Sequence, residues 1–76
     1  MKLVPTDAKK LIKILERKGF RIERQKGSHV QLEDELGRKV TVPVHPGREI
    51  GRGLLRKILR DAEITLEEFD KLRQEV

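Results

Sequence analysis

Between Phe20 and Val42 the hydrophobic period of this sequence drops to two. Phe20-Arg21-Ile22-Glu23, His29-Val30-Gln31-Leu32-Glu33 and Lys39-Val40-Thr41-Val42 each alternate apolar with polar residues. Such alternation buries one side of a strand and wets the other. The connections are short and contain glycine, so the three runs read as an antiparallel meander. A meander of this kind needs cover on its apolar face and leaves the other face open.

The register follows from burial. Leu32 and Val40 both belong in a core, and a three-residue loop Glu35-Leu36-Gly37, with Gly37 left-handed, places them opposite each other. Val30 then opposes Val42, Gln31 opposes Thr41 and His29 opposes Pro43. Pro43 has no N–H to give, which predicts an edge for the third strand. In the first hairpin a two-residue Gly27-Ser28 turn would put Phe20 and Ile22 on the wrong face. An odd loop avoids this, either Lys26-Gly27-Ser28 or the five residues from Arg24 to Ser28. The longer loop is favoured because it leaves Arg24 and Lys26 free beside His29.

Helical periods flank the meander. Ala8, Leu11, Ile12 and Leu15 recur at helical spacing, with Thr6 expected as N-cap and Gly19 as the stop. Lys9, Lys13 and Arg17 line the polar side of this helix. Leu54, Leu55, Ile58 and Leu59 define a second helix, whose other side carries the stripe Arg52, Arg56, Arg60. Thr65-Leu66-Glu67-Glu68 has the form of a capping box and opens a short third helix with Phe69, Leu72 and Val76 inward. The predicted class is α+β: helix, three strands, helix, short helix, with both main helices on one face. His29, Gln31, Thr41 and Pro43 occupy the open face, joined by His45 if the strand runs that far.

The 76 residues make one domain, 1–76. There is no cysteine, hence no disulfide and no thiolate metal site. No apolar run approaches the ~18–20 residues of a membrane span, and Met1-Lys2-Leu3-Val4-Pro5 lacks the apolar stretch of a signal peptide. The expectation is a cytoplasmic protein with no membrane partner. Net charge is +5, unevenly spread: residues 1–60 carry 16 Lys and Arg against 7 Asp and Glu, whereas residues 61–76 carry 2 against 6. A basic body with an acidic tail favours a polyanion as the partner of the body.

His29 is the candidate for chemistry. Imidazole exchanges protons near neutrality. RNA brings its own nucleophile, the ribose 2′-hydroxyl, so cleavage needs a base, a charge stabiliser and a proton donor, and no metal. His29 suits the base or acid role, and Arg24 or Lys26 suits charge stabilisation. The plainer reading of His29 is a surface residue at a strand end. His45 is a possible second imidazole, more simply a loop residue. No metal-ligand spacing is present. Glu33-Asp34-Glu35 reads as a solvated turn. Gly47, Gly51 and Gly53, with Arg48 and Arg52 at the start of the second helix, are placed to hold a backbone phosphate. Phe20 and Phe69 are the only aromatics and belong to the core, so no aromatic platform for bases exists. Recognition is therefore expected to be mainly of backbone and shape, with low sequence specificity.

Several segments resemble the HicA, or YcfA-like, mRNA interferase toxins. They are Lys18-Gly19-Phe20, Arg24-Gln25-Lys26-Gly27-Ser28-His29, Val40-Thr41-Val42-Pro43-Val44-His45, Gly53-Leu54-Leu55-Arg56-Lys57-Ile58-Leu59-Arg60 and Ile64-Thr65-Leu66-Glu67-Glu68-Phe69. Together they span nearly the whole chain in family order. The resemblance implies a double-stranded-RNA-binding-like α-β-β-β-α fold and a toxin that cleaves mRNA without a cofactor. It implies His29 as the catalytic residue, within a Gly27-Ser28-His29 motif at the RNA, and a HicB-type antitoxin that masks the active face. Two other readings compete: a non-catalytic binder of structured RNA, and a protein-interaction module.

Overall fold

The computed structural model describes residues 3–76. Met1 and Lys2, the start of the segment read above for a signal peptide, lie outside the described residues. In chain order the elements are β1 (Thr6–Asp7), α1 (Ala8–Lys18), β2 (Arg21–Lys26), β3 (His29–Glu33), β4 (Lys39–Pro43), β5 (Glu49–Ile50), α2 (Arg52–Asp61) and α3 (Leu66–Glu75).

The N-cap of α1 is Asp7, one residue later than expected. Its carboxylate accepts from the Lys9 and Lys10 N–H groups. Thr6 is drawn instead into a two-residue pairing with β5, where it faces Ile50, and its hydroxyl donates to the Val4 carbonyl. The inward face of α1 is Ala8, Leu11, Ile14 and Leu15, with Ile12 only partly buried. Gly19 ends the helix at φ +114°, and the Phe20 N–H donates to the Leu15 carbonyl. This left-handed close suits glycine.

The sheet order is β2-β3-β4. The β3–β4 register matches the expectation residue for residue, from His29 opposite Pro43 to Leu32 opposite Val40. The loop is Glu35-Leu36-Gly37, closed by the Asp34 N–H on the Arg38 carbonyl, with Gly37 at φ +84°. Asp34 is not a solvated turn residue. It is buried, and its carboxylate accepts from the Leu36 and Arg38 N–H groups and from Arg38 Nε at 2.6 Å. Burial pushes the Asp34 carboxyl up, but the Arg38 guanidinium and the two N–H donors outweigh it and hold the carboxyl below its ordinary value.

The first hairpin departs from the favoured five-residue loop. Lys26 pairs with His29, so the turn is only Gly27-Ser28. The face conflict is solved inside the strand, where the register shifts between Ile22 and Arg24 and leaves Glu23 as the extra residue. A bulge of this kind restores the parity that an even turn would break. Ile22 therefore faces the same way as Leu32, and Arg24 and Lys26 face the same way as His29.

One cluster of buried side chains joins α1, α2 and α3 to the inner face of the sheet, with Leu11, Leu15, Leu32, Val42 and Leu55 fully enclosed. The helices pack over β4, whereas β2 is exposed along its whole length. Leu54 and Val76, expected to face inward, are instead exposed. Thr65 caps α3 by accepting from the Glu68 N–H. The Glu68 carboxylate turns away from the reciprocal bond and pairs with Lys18 on α1. Apart from the small β1–β5 ribbon, which the sequence pattern did not announce, this is the double-stranded-RNA-binding-like α-β-β-β-α order with a C-terminal helix.

Candidate functional site

The open face of the sheet is a grid of cross-strand rows. At one end Lys26, His29 and Pro43 stand side by side. Arg24, Gln31 and Thr41 follow, and then Arg21, Glu33 and Lys39. Facing side chains on adjacent strands sit ~4.5–5.5 Å apart at Cβ. The bulge at Glu23 thus does what the longer loop was expected to do and brings Arg24 and Lys26 onto the His29 face. It also separates their places: Lys26 is across from His29, and Arg24 is one row along, across from Gln31.

His29 is held from both sides. Gly27 takes φ +60° at the first position of the turn, as a two-residue hairpin turn with glycine first requires. The Gln25 side chain donates to the Gly27 carbonyl at 3.2 Å. The Ser28 carbonyl accepts from the Val44 N–H at 2.6 Å, so the turn is tied to the chain leaving β4. Hydrogen-bonded and non-hydrogen-bonded pairs alternate along an antiparallel ladder. The Ser28–Val44 bond makes His29–Pro43 a non-hydrogen-bonded pair, and the missing Pro43 N–H costs β4 no ladder bond. The His29 ring itself is exposed and makes no hydrogen bond or ion pair among the described residues.

Arg48 belongs to a second group, which borders the first at Pro43. A hollow of about 150 Å³ there is lined by Pro43, His45, Arg48, Glu49, Gly51 and Leu54, together with Ile50. Arg52, the first residue of α2, follows the hollow's Gly51 but is not part of its lining. His45, Pro46, Gly47 and Arg48 make a turn, closed by the Arg48 N–H on the His45 carbonyl, with Gly47 at φ +76°. β4 ends at Pro43, so His45 does not continue the strand toward His29. It lines the hollow instead. Gly51 caps α2 without a side-chain hydrogen bond, and the first turn holds no acid. Gly51 and Leu54 bring this end of α2 to the hollow, where Glu49 of β5 is also part of the lining.

The basic rows of α1 and α2 differ where α3 docks. Of the α1 row only Arg17 is engaged, donating to the Glu75 carbonyl; Lys9 and Lys13 are exposed and make no ion pair among the described residues. Lys18, beside the row, pairs with Glu68, so the acidic α3 lies against the end of α1. On α2, Arg52, Arg56 and Arg60 are exposed and make no ion pair among the described residues. Sequence patterning found both rows but not this difference, which depends on where α3 docks. It also passed over Gln31 and Thr41 as site residues, because neither type signals chemistry alone. Among the described residues, no group of three or more His, Asp or Glu side chains is placed to hold a metal ion.

An α-β-β-β-α domain with its helices on one face, and a bare histidine among cations on the other, defines a class of small double-stranded-RNA-binding-like proteins. Within that class the chain belongs to the HicA family: the family model described as the HicA toxin of bacterial toxin-antitoxin systems matches residues 8–64. The match takes in the whole open face, the hollow and α2, and ends before α3. A search among curated proteins gave no match. Membership implies the toxin half of a toxin-antitoxin pair, with an antitoxin as partner. No helix among the described residues is long and apolar enough to cross a membrane.

Proposed function

We propose that residues 1–76 act as one domain that cleaves mRNA by metal-independent, histidine-dependent chemistry in the cytoplasm. The observation that carries this reading is the exposed, unpartnered His29 directly across from Lys26 on an open face. In the reaction the ribose 2′-oxygen attacks the adjacent phosphorus and the bond to the 5′-oxygen breaks. The 2′-proton leaves to a base, and the departing oxygen takes a proton from an acid. His29 serves one of those roles. Lys26 offsets the charge that builds on the phosphoryl oxygens. The Gly27-Ser28 turn lies against the RNA backbone, Arg48 and Arg52 hold flanking phosphates, and Arg24 binds the RNA one row along from His29. A HicB-type antitoxin would silence the enzyme by covering this face.

Induced expression of wild type beside His29→Ala in a bacterial host tests the reading, with mRNA integrity followed in EDTA-treated extracts. Growth arrest and RNA fragmentation by wild type alone, with the variant soluble, support it. Equal behaviour of the two sinks it. Salt-dependent RNA binding that survives His29→Ala, with no cutting by either protein, would favour a non-catalytic RNA-binding module, a reading to which the bare arginine stripe of α2 lends support.

A further inference from the structure

The middle row of the open face, Arg24–Gln31–Thr41, has no role in the proton transfers assigned to the His29 row. Gln31 is half-buried at the centre of the sheet, and its amide makes no side-chain hydrogen bond among the described residues. A donor and an acceptor therefore sit side by side without an internal partner. Arg24, Gln31, Glu23, Glu33 and Lys39 line a shallow hollow of about 390 Å³. The two carboxylates in that lining offset its two cations, so a phosphate gains little there. A neutral group with hydrogen-bonding edges needs no net charge.

We propose that this hollow is a subsite for a single unpaired nucleobase, with adenine favoured. The proposal rests on the nuclease reading for the identity of the strand. Gln31 lies two residues along β3 from His29, about 7 Å at strand rise. That distance suits the nucleotide next to a phosphate held at His29. The face has no aromatic side chain, since Phe20 and Phe69 are both buried. The flat guanidinium of Arg24, across from Gln31, supplies the stacking surface instead. Gln31 reads the base edge. Adenine offers a donor beside an acceptor on both of its open edges, the pair that a glutamine amide matches. Lys39 at the rim is placed for the next phosphate along. Absence of aromatics alone pointed to low sequence specificity; the Arg24–Gln31 pairing replaces that expectation with discrimination at one position.

Binding tests the subsite without any cutting. Short 2′-O-methyl oligonucleotides, which lack the nucleophile, would carry A, C, G or U at one central position in a uridine background. Fluorescence anisotropy on the full chain should show the adenine oligonucleotide bound about tenfold more tightly. Gln31→Leu, close in size but without the amide, should erase the difference. Gln31→Glu, which keeps the acceptor and loses the donor, should erase it too. Thermal melts of each variant report whether the fold is retained. Equal affinity for all four oligonucleotides in wild type overturns the subsite, as does an adenine preference that survives Gln31→Leu. Mapping cut sites on a long unstructured transcript separates this proposal from the one beneath it. Cuts without base preference sink the subsite and leave the nuclease standing. Adenine-selective binding with no cutting sinks the nuclease and leaves the subsite.

Discussion

Lys26 and His29 face each other across the mouth of the β2–β3 hairpin, and Gly27-Ser28 is the whole of the turn between them. A short turn fixes the spacing of the two side chains better than a long one, because fewer backbone torsions separate them. Lys26→Ala should slow RNA cleavage about tenfold at low substrate, a modest share of what a buried charge stabiliser contributes. Lys26 is exposed, so its loss should shift stability by less than about 0.5 kcal/mol. Initial rates on a fluorogenic RNA check this, and an unchanged rate removes Lys26 from the chemistry.

Gly27→Ala isolates the turn. Gly27 sits at φ +60°, and no atom lies within 4 Å of the place a Cβ would take. The cost is therefore all backbone, about 1–2 kcal/mol for a non-glycine residue in the left-handed region. The thermal midpoint should fall by about 4–8 °C per kcal/mol for a domain of this size. Cleavage should fall with it, since the turn carries His29. A midpoint that does not move would mean that the turn relaxes to another type.

Asp34 makes acid sensitivity predictable. Its carboxyl is held below the ordinary value of 3.8 in the folded chain. A carboxyl depressed on folding contributes stability that is present above its unfolded value and lost as pH falls through the folded one. The urea midpoint of wild type should thus decline below about pH 4 more steeply than that of Asp34→Asn, whose side chain does not titrate. Parallel curves for the two would show that the Asp34–Arg38 pair adds nothing to folding.

Arg48 and Arg52 are tested by salt. Each contact between a cation and a phosphate of single-stranded RNA contributes about 0.7 to the slope of log affinity against log salt. Arg48→Ala with Arg52→Ala should weaken binding and flatten that slope by about 1.4. A slope equal to wild type would place the bound strand away from the start of α2.

Legibility in the sequence followed the range of the physics. The β3–β4 register was readable because Leu32 and Val40 must both leave water, and Pro43 bars one side. Alternation argues against the Gly27-Ser28 turn, but it cannot say whether parity is restored in a loop or within a strand. Glu23 is polar and exposed, so nothing in its chemistry announces a bulge. Thr6 and Asp7 are both good caps, and the choice fell to Ile50, 44 residues further on, which claims Thr6 for a strand pair. Asp34 looked solvated because its partner Arg38 closes on it only once the loop has formed. His29, Arg24 and Lys26 were singled out by residue type. Their arrangement in rows needed the bulge.

The contacts of α3 with Arg17 and Lys18 also shape how another molecule first meets this one. They set negative charge against the end of α1, while Lys26, Arg24, Arg48 and the α2 stripe remain uncovered. A polyanion diffusing near the molecule is drawn toward these uncovered cations and away from the acidic α3. An antitoxin rich in carboxylates would be guided along the same approach. The helix that the family match does not include would then help to set how fast either of them reaches His29.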